Sequence, residues 1–458
     1  MASYDYDLIV IGSGAGGNIA AQHVAKAGKR VAVVEMNQFG GSQITGGRVP
    51  LSTLLHAASI YDAAANGTKL GIRGTTLSYN YPTLKAWKDS VVKRTGIQNT
   101  EASFSKLGIN FILGRAYFID PHTISIGPAR YSAREFLIAT GSSTVVPSIP
   151  GLSQSGYLTS KDALSLTRPP KKLAILGGGP VSSEFTQLFS VFGTTIHIVE
   201  KGPSLLPKEE PEASTLIEST FEKAHGITTH LESTIEKIET ISAGKKILIR
   251  HGGKQHTLVV NEILVATEKR AVTDIGLENA GVQYEDNHIY TSSTMETSVP
   301  HIYAAGSCTG SQNSTHMSAY QSQVAANNIL HPKKTIAIDY RATPRAIFTN
   351  PELASVGSTQ LELDQNGTSY KVAVVPLSVI ARSNISDFNN GFIKVLASKK
   401  TDVLLGATVV GPQASEIIHE LAVAIQNYVT AANMARTMHI FPSWSEIVRV
   451  ACMKLALK

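Results

Sequence analysis

The pattern that most limits the fold of this chain occurs twice, at one spacing. Leu8 to Gly12 (LIVIG) is a continuous apolar run that stops at glycine, as strands buried on both faces do. Gly14 to Lys26 then reads as a helix and Arg30 to Glu35 (RVAVVE) as a second parallel strand, together a βαβ unit. The same order returns in the strand Leu173 to Leu176, the turn Gly177 to Gly179, the helical stretch Ser182 to Phe192 and the strand Thr195 to Glu200. Glu35 follows Gly12 by 23 positions, and Glu200 follows Gly177 by the same 23. One such unit is a weak signal; two with matched spacing point to an α/β chain with two Rossmann-like dinucleotide-binding domains.

The glycines say what the turns are for. Gly12, Gly14 and Gly17 close a strand and open a helix, which lets the backbone approach a pyrophosphate whose charge the helix N-terminus stabilises. Glu35 then stands where it can accept hydrogen bonds from ribose hydroxyls. In the second copy Gly177 and Gly179 are followed by Ser182, small enough for close helix–strand packing. Glu200 favours a free 2′-hydroxyl, hence NADH over NADPH, because a 2′-phosphate would meet like charge. Lys201 beside it offsets part of that repulsion, so NADPH stays open.

At 458 residues the chain is too long for one core. Phe136 to Gly141 (FLIATG), Ile263 to Thr267 (ILVAT) and Ile302 to Gly306 (IYAAG) are further short strands, and His316 to Leu330 is helical. Beyond about Thr335 the texture changes to strands such as Gly391 to Leu396, then helices over Ser415 to Val429 and Trp444 to Leu457. The expected division is 1–147 and 271–335 for the first unit and its continuation, 148–270 for the second, and 336–458 for a C-terminal α+β domain.

Charge and cysteine usage narrow the function classes. Net charge is +6, yet no run of five or six Lys/Arg marks a nucleic-acid surface, and anionic cofactors account for the bias. No apolar run is long enough to cross a bilayer, and the polar start Met1 to Asp7 is no leader, so a cytoplasmic protein with no membrane partner is expected. Cys308 and Cys452, far apart, form neither a pairing framework nor a metal-ligand spacing. Cys308 follows Ser307 and reads as a small buried hydrophobe before it reads as a reactive thiol. Asp120-Pro121 reads as a turn, and Trp87 and Trp444 as packing residues.

Several segments resemble the pyridine nucleotide–disulfide oxidoreductases, a family that includes lipoamide dehydrogenase, glutathione reductase and mercuric reductase. They are the two βαβ units, Gly114-Arg115-Ala116, Ala139-Thr140-Gly141, Thr297-Ser298-Val299-Pro300 leading into Gly306, and Phe348-Thr349-Asn350-Pro351-Glu352. The resemblance covers nearly the full length and implies FAD in the first unit, a nicotinamide nucleotide in the second, and a C-terminal dimerisation domain that makes a homodimer. It implies cofactor contacts at Ala116, Thr140, Gly141, Gly306 and Ser307.

Departures from that family carry the functional reading. Where it has a segment like GGTCxxxxCxPSK, this chain runs from Gly40 to Ser52, with Gln43 and Arg48 at the cysteine positions and Ser52 at the lysine position. No thiolate forms there. In the family's H-P-x-x-x-E motif, Phe441 stands at the histidine and Glu446 keeps its place; His439, two residues earlier, reads as structural. The flavin-ribitol aspartate is Ser307, and Glu268 replaces a glycine in a segment like ATGRxP. Glu184 matches a glutamate near flavin N5 whose usual lysine partner is Ser52. Two readings are open for Arg48: a fixed cation beside the flavin, raising its potential, or an arginine that pairs with Glu184 or solvent.

The expectation is therefore a homodimeric FAD enzyme that takes hydride from NADH and passes electrons to a small-molecule acceptor that is not a disulfide, such as a quinone or dioxygen. Gln43 and Arg48 would line the acceptor face, with Phe441 and Glu446 contributed across the dimer. A pathway-specific flavin enzyme with one dedicated substrate is the second reading, and a transhydrogenase a weaker one. A family member that binds nucleotides without catalysis is the non-enzyme reading, supported by Ser307, Glu268 and Ser52. No metal is expected.

Overall fold

A computed structural model describes residues 4–72, 77–96, 100–224, 226–285, 288–310 and 314–457. The start of the polar segment, Met1 to Ser3, lies outside the described residues, as does the side chain of Gln43.

Three sheets organise the chain. The first has seven strands, in the order Ile109–Leu113, Val31–Glu35, Tyr6–Ile11, Ala129–Ile138, Thr123–Ile126 and Tyr117–Asp120, with Ile302–Ala304 also on Ala129–Ile138. Tyr6–Ile11 is parallel to both neighbours, with Val10 opposite Val33 and Leu137. Its Leu8, Ile9 and Val10 are fully buried, which is why the run carries no polar alternation. The return of Ile302–Ala304 to this sheet brings a strand from nearly three hundred residues away beside the first glycine turn.

The second sheet is parallel, in the order Ile227–His230, Thr195–Val199, Lys172–Leu176, Glu262–Val265. A three-stranded antiparallel sheet, Ser233–Ile241, Gly244–His251 and Lys254–Val260, closes one side; Ile238, Ile247, Ile249 and Val260 pack with Ala174, Leu176 and Val265. The third sheet is antiparallel, Pro344–Ile347, Glu352–Gly357, Leu404–Gly411, Phe392–Ser398, Tyr370–Pro376. Helices Ala414–Gln426 and Glu446–Ala456 bury Ile417, Ile418, Leu421, Ile447, Val448 and Leu455 in its core cluster.

Between the second and third sheets runs a buried ion network. Lys394, 2% exposed, reaches Glu210 at 2.8 Å and Glu212 at 2.9 Å, and Arg345 reaches Glu209 at 2.9 Å. A buried ammonium without such partners would lose its charge or disrupt the fold.

The strands and helices anticipated above are present, nearly all within a few residues; Phe136 to Gly141 instead overlaps the end of a ten-residue strand, Ala129–Ile138. Among the elements not anticipated are helices Arg48–Ala65, Tyr81–Gly96 and Pro211–Lys223, the strands from Ile109 to Ile126, and the three-stranded sheet. Trp444 packs as expected at 7% exposure, but Trp87 corrects the packing assignment: it is 39% exposed on Tyr81–Gly96, with His56 as its ring neighbour among the described residues, at 6.2 Å.

Candidate active site

Both glycine turns are built for close approach. A Cβ on Gly12, whose φ is +109°, would lie 2.2 Å from the Ala139 carbonyl, and one on Gly17 would lie 2.0 Å from the Gly12 carbonyl. Helix Ala15–Lys26 starts at Gly14 with no side chain capping it, which leaves its first N–H groups to an anion. Helix Pro180–Val191 starts at Gly179 in the same way, and a Cβ on Gly179 would meet open space. These uncapped helix ends above hydrogen-only turns fit two dinucleotide pyrophosphates.

The acidic residues at the strand ends are held in place. Glu35 accepts from the Ser13 amide at 3.0 Å, the Ser13 hydroxyl at 2.8 Å and the Asn37 amide at 2.9 Å. Glu200 accepts from the Gly178 amide and, at 2.6 Å, from the Gly202 amide. Each carboxylate therefore sits against its glycine turn with lone pairs remaining for ribose hydroxyls.

Around the first turn, Gly306 adopts φ +88° and donates its amide to Gln321 at 2.7 Å. Ser307 opens the following turn half-buried, with no hydrogen-bond partner among the described residues. The Thr140 hydroxyl donates to the Val272 carbonyl at 2.7 Å, so it ties down a loop and can offer a ligand only an acceptor oxygen. Gly141 (φ +74°) faces open space, and Ala116 is buried with Ile9 and Ile11.

The segment that departs most from the family pattern folds as a short helix, Gly41–Thr45, then the turn Gly46–Gly47, then Arg48–Ala65. Arg48 donates to Glu184, which is 1% exposed and 136 residues away. The same Glu184 oxygen accepts from the Phe348 amide at 3.1 Å, and the Arg48 guanidinium lies 5.4 Å from the centre of the Phe348 ring. Of the two readings open for Arg48, pairing with Glu184 is the observed one. Ser52 is four residues further on the same helix and so on the same face as Arg48. The cation that balances Glu184 thus comes from one turn earlier than the lysine position.

At the other end of the chain, Phe441 is 71% exposed beside Met438 at 95% and Ile440 at 80%. Glu446 pairs with Arg449 at 3.5 Å through one oxygen, while its other oxygen is buried without a partner. His439 is structural: its Nε2 bonds Glu420 at 2.8 Å and its Nδ1 the Thr437 carbonyl at 3.0 Å. Within one chain the structure brings Arg48 and Glu184 together, and it brings neither Phe441 nor Glu446 to them.

Both cysteines are free and fully buried, Cys308 in the first unit and Cys452 in the last helix. Burial pushes the Cys308 thiol up to about 11 and the Cys452 thiol up to about 12, so neither is a ready nucleophile. Among the described residues no group of three His, Cys, Asp or Glu could hold a metal, and no helix is long and apolar enough to cross a membrane.

The model for pyridine nucleotide-disulphide oxidoreductases matches residues 6–326, and that for the dimerisation domain of these enzymes matches residues 343–452. The chain belongs to the pyridine nucleotide-disulphide oxidoreductase family. It is 31% identical over 451 residues to a mercuric reductase of Staphylococcus aureus, covering 98% of this chain and 82% of that one. It is 33% identical to a dihydrolipoyl dehydrogenase of Chlamydia muridarum, covering 96% and 95%. Among solved structures it resembles the HOCl-induced flavoprotein disulfide reductase RclA of Escherichia coli, with a TM-score of 0.86, 25% identity and 98% and 99% coverage. Members of the pyridine nucleotide-disulphide oxidoreductase family bind FAD and NAD(P)H, and this one carries both cradles.

Sequence reasoning missed Phe348 and the position of Lys161, whose stem packs on Gly46. Phe348 had a signal, since it opens the Phe348 to Glu352 segment already singled out. Lys161 had none.

Proposed function

We propose that this chain is an FAD-dependent NAD(P)H oxidoreductase that delivers electrons to a small-molecule acceptor without a redox-active cysteine pair. The observation that carries the reading is the Arg48–Glu184 ion pair, which occupies the helix start where the family pattern has its second cysteine. Cys308 and Cys452 are buried and free, which supports the same reading.

FAD, when bound, would supply hydride acceptance from the nicotinamide nucleotide and onward electron donation. The chain's own residues hold and orient. Gly12, Gly14 and Gly17 open the first turn to a pyrophosphate, and Glu35 holds the ribose side. Gly177, Gly179 and Glu200 do so for the nicotinamide nucleotide, with Glu200 favouring NADH through like-charge exclusion of a 2′-phosphate. Arg48, fixed by Glu184 and Phe348, presents its remaining N–H groups to the acceptor side, where Gln43 also belongs. Exposed Met438, Ile440 and Phe441, within the region matched by the dimerisation model, offer an apolar face to a second copy. In the homodimer so formed, Phe441 and Glu446 would wall the acceptor site across the interface.

Anaerobic stopped-flow mixing of the purified, FAD-loaded protein with NADH tests this. The reading expects flavin bleaching with no long-wave thiolate-to-flavin band, followed by reoxidation with a quinone. Flavin that stays oxidised with both NADH and NADPH overturns it.

A further inference from the structure

We propose that Gln321 is a positioning residue of the flavin site, acting on bound FAD through the Gly306–Ser307 turn and setting where the Ser307 hydroxyl meets the ribityl chain. The proposal goes beyond the reading of direct electron delivery. It rests on the Ser307 turn being part of the FAD cradle, and not on which acceptor is used.

Gln321 lies mid-way along helix Thr315–Leu330, whose start is capped by Ser314 accepting from the Met317 amide at 3.2 Å. It is fully buried. A carboxamide in such a place costs stability unless its oxygen and its nitrogen are both satisfied. Here the Oε1 atom accepts from the Gly306 amide at 2.7 Å. The Nε2 atom donates to Thr309 Oγ1 at 3.3 Å and to the Tyr340 hydroxyl at 2.9 Å. Thr309 Oγ1 in turn donates to the Gly306 carbonyl at 2.9 Å. One side chain therefore holds both ends of the turn from Gly306 to Thr309. The Gly306 N–H requires an oxygen on its side, so the carboxamide has one orientation.

The turn is wedged as well as bonded. A Cβ on Gly306 would lie 3.2 Å from Ser318 Oγ, and Ser318 is one helical turn before Gln321 on the same face. A Cβ on Gly16 would lie 3.4 Å from Gly306 Cα, so the turn sits against helix Ala15–Lys26 near its uncapped start. Its side chains then divide by task. Cys308 points into the core, its Sγ 3.3 Å from the Ala305 carbonyl and 3.5 Å from the Ile138 carbonyl. Thr309 bonds back to Gly306. Ser307 is half-buried and its hydroxyl bonds nothing among the described residues, so it is the group left to a ligand. Its direction follows from the backbone of the turn, and Gln321 fixes that backbone on both sides of it. A ligand-binding hydroxyl held this way loses little freedom when the ligand arrives.

The test is a double-mutant cycle on the FAD-loaded full chain, read as the rate of FAD release from the rise in free flavin fluorescence. Ser307→Ala should speed release about fivefold and Gln321→Leu about tenfold. The double variant should release FAD no faster than Gln321→Leu alone, because a misdirected hydroxyl has no contact left to lose. Gln321→Glu keeps an oxygen for the Gly306 amide and can accept from the Tyr340 hydroxyl instead of donating to it. It should bring release back to within about twofold of the parent. A residue that only fills the helix interface would show neither the rescue nor the non-additivity. If circular dichroism finds Gln321→Leu unfolded, the cycle is run with Tyr340→Phe, which removes the outer brace and should speed release about threefold, again without adding to Ser307→Ala. Effects that multiply in the double variant overturn the proposal alone. Release unchanged in Ser307→Ala overturns the ribityl reading of the turn, and the proposal with it.

Discussion

The two dinucleotide units share a plan and differ in tightness. In the first, a Cβ at the opening glycine would press to 2.2 Å from the Ala139 carbonyl, and one at the third glycine to 2.0 Å from the Gly12 carbonyl. In the second, the opening glycine would leave 2.8 Å to the Ala266 carbonyl, and the third position holds the side chain of Ser182, fully buried with no partner for its hydroxyl. Helix and strand therefore lie closer in the first unit. One motif can be used at two packing distances, and only the closer one demands three glycines.

Four changes press on that comparison. Gly17→Ala should have the largest effect, because the added methyl meets backbone that cannot rotate away: a loss of about 3 kcal/mol or more, with FAD lost on purification. In the second unit Gly179→Ala, at the position that matches Gly14 and with nothing within 4 Å, should leave stability nearly unchanged and weaken NADH binding instead. A Gly17→Ala protein that keeps its flavin and its melting temperature would break the comparison.

Acid should then separate the units by a smaller margin. Burial, helped by neighbouring His197, His256 and His251, lowers the His230 pKa from 6.5 to about 4. The unfolded chain thus takes up this proton before the folded one does, so the second unit is fully stable above about pH 6.5 and weakens as pH falls toward 4. Urea midpoints at pH 7 and pH 5 should lie closer together in His230→Phe than in the parent; an unchanged gap would count against the assignment.

The smallest effect belongs to Ser182→Ala. Deleting a buried, unpartnered hydroxyl should leave stability equal or raise it by about 1 kcal/mol. A clear loss in thermal melts would mean that the hydroxyl has a partner in the working protein.

Much of this was legible in the sequence, for physical reasons that also mark its limit. Strands such as Tyr6–Ile11 are buried on both faces and so are written as unbroken apolar runs. The strands Ser233–Ile241 to Lys254–Val260 are buried on one face only, and their Lys and Glu residues mask the alternation. Helix Arg48–Ala65 emerges from glycines and reads as loop until its partners are seen. The pairing of Arg48 with Glu184 spans 136 residues, so the sequence marked Gln43, Arg48 and Ser52 as departures from a resembled pattern without giving Arg48 its partner. Lys161 leans on a glycine, a residue with no side chain to announce a neighbour.

The Lys394 network makes the seam between the second unit and the last sheet something other than a hinge. Opening it would strand an ammonium and carboxylates whose partners lie across the divide, so these two parts are built to travel and melt as one piece. Whatever motion admits nucleotide must then be sought in loops around the turns, not in a swing of the whole unit.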